Sequence, residues 1–276
     1  MLAITWATPL YFLAIYGLVR YFAKPKDETG KGKVNWTWYE AVGVTLAIYF
    51  TAQFLGALIV YAIPLLRGWD SKQLTNWTDN SVGGQFALIA VIEALTLWFL
   101  FVFLKRRGAS FKTIGLKRRP KWLDAGYVLL GFGVYFVGYA VLISVVKSAV
   151  PHLDLNQQQQ IGFSNAAGVA LVPVFISLVL LPPLVEELLV RGFLYSGLKK
   201  GLPKVWAVLG TSVLFAIAHL QAGSGAPLLW VAAIDTFTLS LVLIYLREKT
   251  GSLWASIGLH MLKNGVAFLA LFIFVH

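Results

Sequence analysis

Long uninterrupted blocks of apolar residues decide the class of structure before any other feature is read. A helix crossing a bilayer needs roughly 20 apolar residues. This chain of 276 residues carries eight such stretches, near 2–22, 39–66, 82–104, 123–147, 168–198, 204–220, 226–247 and 252–275. The expected fold is all-α: a polytopic transmembrane helix bundle of about eight spans. It is read as a single membrane domain over 1–276, with N-terminal helices in 1–150 and the helices that carry chemistry in 168–275. Charged residues make up only 13% of the chain, where a soluble domain usually has about twice that share.

There is no cysteine, so disulfides, thiolate nucleophiles and cysteine-held metal clusters are excluded. The block from Leu2 to about Val19 has no basic stretch before it and no small-residue cleavage site after it, and is expected to stay as a helix. The formal charge of +11 sits in short loops between apolar blocks, which points to anionic lipid headgroups and not to nucleic acid.

Lys and Arg fall in alternate loops. The loop after the first span holds Arg20, Lys24, Lys26, Lys31 and Lys33, and the loop after the third holds Lys105, Arg106, Arg107, Lys112, Lys117, Arg118, Arg119 and Lys121. Lys199, Lys200 and Lys204 follow the fifth span, and Arg247 and Lys249 follow the seventh. The intervening loops carry only Arg67, Lys72 and Lys147. The positive-inside rule then puts the four basic loops in the cytoplasm and both termini outside it. The expected location is a bacterial plasma membrane. The segment 221–227, with two glycines and a proline, follows the short sixth span and is expected to dip into the membrane beside a site, because irregular backbone at that depth needs cover from protein or a wet cavity.

Ionisable residues inside spans are costly and are functional candidates by default. They are Glu93, Glu186, Glu187, Arg191, His219, Asp235, His260 and Lys263, mostly in the last third of the chain. Adjacent Glu186 and Glu187 in an apolar helix repel each other and resist desolvation. Glu187 and Arg191, four apart, share a face and can neutralise each other. Glu186 points about 100° away and has no partner on its own helix, which suits a general base. The plain alternative is an ion network that holds helices together. Pro182 and Pro183 are expected to kink the helix just before the pair. Phe215 lies one turn before His219 and could wall a pocket, although a lone histidine is more often a hydrogen-bonded core residue. His260 and Asn264, also four apart, can face one substrate group. The amide of Asn264 suits donation to a developing oxyanion; an interhelical hydrogen bond is its ordinary role. At 1.5 Å per residue, these groups can share a layer near mid-membrane. Asp235 is expected to pair with Lys263, and Glu93 has no assigned role.

The order Glu-Glu-x-x-x-Arg, Phe-x-x-x-His, His-x-x-x-Asn, each on its own span, resembles the three motifs of the CAAX-protease and bacteriocin-processing family, which includes type II CAAX prenyl endopeptidases. Here these are Glu186, Glu187 and Arg191; Phe215 and His219; and His260 and Asn264. The resemblance implies an intramembrane endopeptidase acting on a membrane-associated peptide or protein. It implies that Glu186 and His219 activate water and that His260 and Asn264 stabilise the oxyanion, with Glu187, Arg191 and Phe215 supporting the site. Family members have been called metalloproteases, and Glu186, His219 and His260 would be the zinc ligands in that version. The metal-free glutamate version is preferred, because Asn264 fits oxyanion donation and zinc would leave no obvious base. No His-Glu-x-x-His or Gly-x-Gly-Asp motif occurs. Ser224 sits in an ordinary Gly-Ser-Gly turn. A non-enzymatic immunity factor or scaffold of the same fold is the main alternative. A proton-coupled transporter through Glu93, Glu186 and Asp235 fits less well, since no repeated halves occur.

Overall fold

A computed structural model describes residues 33–157, 162–163, 166–220 and 228–274. The first expected span and the segment 221–227, with Ser224, lie outside the described residues. Eight helices follow in order: α1 (Trp38–Leu66), α2 (Ser71–Asn80), α3 (Val82–Arg106), α4 (Trp122–Ala149), α5 (Gly168–Gly201), α6 (Lys204–Ala218), α7 (Trp230–Thr250) and α8 (Trp254–Phe274). Among the described residues there is no strand. Six of these helices, α1, α3, α4, α5, α7 and α8, are long and apolar enough to cross a membrane; α6 is shorter. The chain is an integral, multi-pass membrane protein. Its lipid-side surface is apolar, as with Leu129, Leu130, Phe136 and Val141 along α4. In water this would be an aggregation hazard; against acyl chains it costs nothing.

Local signals set the helix starts. Thr37 caps α1: its hydroxyl accepts from the Glu40 N–H, and Glu40 accepts from the Thr37 N–H at 2.9 Å. Glu40 also pairs with Arg107 at the end of α3, which ties the basic ends of two helices together. Asp70 and Gln73 form the same reciprocal cap on α2. That short polar helix was not foreseen, because it is too hydrophilic to register as a span; the Asp70-x-x-Gln73 pattern is the signal that marks it.

Helix α5 is the hub of the bundle and packs against α1, α3, α6, α7 and α8. Close approach to α1 depends on Gly197, where a Cβ would come within 2.4 Å of the Ala41 Cβ and 2.8 Å of the Trp36 indole. Trp36 itself is fully buried, stacked on Phe193 and edge-on to Phe103. Small residues of this kind drive helix association where no hydrophobic effect operates between helices.

The sequence anticipates a proline kink in α5. The helix widens before and after the prolines, with π-helical turns at Ile176–Leu180 and Glu187–Leu194 flanking the α-helical turn Leu181–Glu186. Pro182 and Pro183 have no N–H, so the carbonyls one turn earlier lose their helical donors. A π turn accommodates such a break, and π turns recur at functional sites.

Candidate active site

The two carboxylates straddle the junction between the last α-helical turn and the second π segment of α5. Glu187 and Arg191 are both fully buried, and Arg191 Nη1 donates to Glu187 Oε1 at 2.9 Å. The pairing expected from their spacing survives the π geometry. The Arg191 guanidinium also lies 4.1 Å from the centre of the Phe215 ring on α6, a cation–π contact in a desolvated setting. Phe215 therefore does more than wall a pocket. Its ring sits edge-on to His219 at 4.6 Å and to His260 at 6.0 Å, so it holds three charged or polar groups at fixed angles.

His260 enters from α8. Its Nδ1 lies 3.0 Å from the same Glu187 oxygen that Arg191 uses. A carboxylate accepts, so Nδ1 carries the proton and Nε2 is the bare nitrogen of the neutral ring. That Nε2 faces Glu186 Oε2 at 3.8 Å. This oxygen is buried and makes no hydrogen bond among the described residues. Glu186 is the partly exposed member of the adjacent pair, with 30% of its side chain reachable against none for Glu187. The division of labour read from the spacing, one paired carboxylate and one free, is therefore the arrangement found.

His219 closes α6, and its Nδ1 lies 2.8 Å from the Phe215 carbonyl. A carbonyl can only accept, so this ring too presents a bare Nε2 when neutral. His219 lies within electrostatic reach of His260, Arg191 and Lys263. Glu93, on α3, lies within electrostatic reach of Glu186. Four helices thus bring ionisable groups to one layer of the bundle.

Asn264 sits one turn beyond His260, and its Nδ2 donates to the Leu178 carbonyl at 2.9 Å. Leu178 is the residue whose carbonyl would have bonded the N–H that Pro182 lacks. Asn264 repairs that gap from a neighbouring helix and pins α8 to the break in α5. One amide hydrogen is committed there, and the second remains for another acceptor. Asp235 and Lys263 pair at 2.8 Å, as expected, and the Tyr135 hydroxyl donates to the other Asp235 oxygen. The tyrosine was not foreseen, because nothing in an apolar span marks one hydroxyl among many.

The zinc version asks Glu186, His219 and His260 to converge on one ion. Among the described residues no three His, Asp or Glu side chains stand close enough together to form a metal-holding group.

Residues 168–266 match the family model described as Type II CAAX prenyl endopeptidase Rce1-like. The match runs from the start of α5 into α8 and takes in all three motifs. No curated protein and no solved structure matches the chain.

Proposed function

We propose that this chain, whose residues 168–266 form an Rce1-like domain, is an endopeptidase that hydrolyses a peptide bond of a membrane-associated peptide or protein with water activated by Glu186. The observation that carries the reading is the placement of the unpaired Glu186 oxygen 3.8 Å from His260 Nε2, with Glu187 and Arg191 already neutralising each other behind them. Atoms 3.8 Å apart are too distant for a direct hydrogen bond and close enough to share one water.

In this mechanism Glu186 takes a proton from the water as its oxygen attacks the scissile carbonyl carbon. The bare Nε2 of His219 orients the water by accepting its other hydrogen. Electrons of the carbonyl move to its oxygen, and the second Nδ2 hydrogen of Asn264 donates to that oxyanion. His260 Nε2, 3.8 Å from Glu186, shares the proton that Glu186 has taken from the water and so becomes a second donor to the oxyanion. The proton on Glu186 then passes to the amide nitrogen as the carbon–nitrogen bond breaks, which leaves a new carboxyl terminus and a free amine. Positioned proton transfer of this kind contributes about 10²–10⁴-fold in rate.

The commitment of Asn264 to Leu178 favours a second reading, in which the polar network only holds the bundle together. One experiment separates the two. The full chain is reconstituted in vesicles with a tagged, membrane-anchored peptide. Cleavage by the wild type, with a loss of about 100-fold or more in Glu186→Gln and His219→Ala, is the expected result. Equal cleavage by all three removes the assignment, and an unchanged cellular role without cleavage supports the scaffold.

A further inference from the structure

A groove of about 660 Å³ opens between α4 and α8, lined by Lys121, Asp124, Val128, Leu129, Trp254 and Leu262 among others. Both helices start at the basic end of the bundle. From Lys121 to Leu129 and from Trp254 to Leu262 the chain advances eight residues, so the groove runs about 12 Å into the apolar layer. Its inner walls are aliphatic. Gly258 lets α8 approach α4 closely at the floor of the groove, since a Cβ there would come within 2.8 Å of Val128 Cγ2.

The mouth is built and charged. Arg118 holds Asp124 through two bonds of 2.7 and 2.5 Å, and the Lys121 N–H donates to the same carboxylate at 2.7 Å. Asp124 is thereby neutralised, so it does not repel an anion. The Trp254 indole donates to the Arg118 carbonyl at 2.6 Å, which locks one wall of the groove to the basic loop. Lys121 is left exposed at the opening, and Trp122 is 94% exposed, at the level where tryptophans settle in the headgroup region. An apolar groove with an exposed lysine at its mouth is complementary to a molecule with one hydrocarbon tail to bury and a negative head to pair.

We infer that this groove binds one anionic glycerophospholipid from the leaflet beside the basic loops, with an acyl chain between α4 and α8 and the phosphate at Lys121. The inference rests on membrane residence and does not need the peptidase reading. It also places a lipid against the helix that carries His260, Lys263 and Asn264.

Native mass spectrometry of the full chain tests it, after extraction from vesicles of equal parts phosphatidylglycerol and phosphatidylcholine. The wild type is expected to retain one phosphatidylglycerol in preference to phosphatidylcholine. One basic residue near an anionic surface is worth about fivefold in affinity, so Lys121→Gln should weaken retention about fivefold and Lys121→Glu about thirtyfold. Lys112→Glu, on the same loop but outside the groove, should change it by no more than about twofold. Leu129→Trp fills the channel at an exposed position without changing charge and should abolish retention. Equal retention of phosphatidylcholine overturns the inference. So does a loss in Lys112→Glu as large as in Lys121→Glu, or full retention in Leu129→Trp.

Discussion

Glu187→Gln is the substitution whose cost follows most directly from the packing. Glu187 and Arg191 have no exposed side-chain surface, and the guanidinium has one charged partner at 2.9 Å. Arginine cannot shed its proton to escape burial. Breaking a buried pair by removing one charge typically costs 3–5 kcal/mol. Glutamine keeps an oxygen where Arg191 Nη1 and His260 Nδ1 now point, and a neutral hydrogen bond returns about 1 kcal/mol. The expected net loss is about 2–4 kcal/mol. Adding Arg191→Met removes the stranded cation and restores an apolar filling, so the double variant should be more stable than Glu187→Gln alone by about 1–2 kcal/mol. Equilibrium unfolding in detergent micelles, followed by circular dichroism, measures both. A single variant as stable as the wild type, or a double variant weaker than the single, would refute the reasoning.

Other outcomes follow from the same contacts. Asn264→Leu should lower unfolding stability by about 1 kcal/mol as well as reducing cleavage, because the Leu178 carbonyl loses its donor; unchanged stability would show that the bond carries no weight. Lys263→Met should cost about 2 kcal/mol by stranding Asp235, with much of it recovered in Asp235→Asn/Lys263→Met; the pair is only about a fifth exposed, so little of the loss is screened. Cleavage should persist in a strong chelator, and loss of activity restored by added zinc would favour the metal version instead.

Much of the fold was legible because lipid imposes a simple rule. A span must be apolar along its whole length, so Val82–Arg106 and Trp122–Ala149 stand out to within two residues at each end. Helix α2 escaped because it does not cross the membrane. The site was legible for the same reason in reverse: a charge in an apolar block is conspicuous, and the spacing of Glu187 and Arg191 implied their pairing. Spacing along one helix could not reveal contacts made across helices. That His260 and Arg191 share one oxygen of Glu187, that Phe215 packs on Arg191, and that Asn264 answers the missing N–H of Pro182 are all set by packing between helices. The π turns were hidden too, since the prolines announce a broken ladder without saying how the backbone absorbs it.

The central claim is that side chains from separate membrane-crossing helices meet around Glu186. The chain has no cysteine of its own, so an introduced pair gives an unambiguous signal. Glu186→Cys with His260→Cys should join through a short bifunctional thiol reagent in native membranes, while Glu186→Cys with Tyr245→Cys, exposed on α7, should not. Failure of the first pair to join, or equal joining of both, would contradict the account.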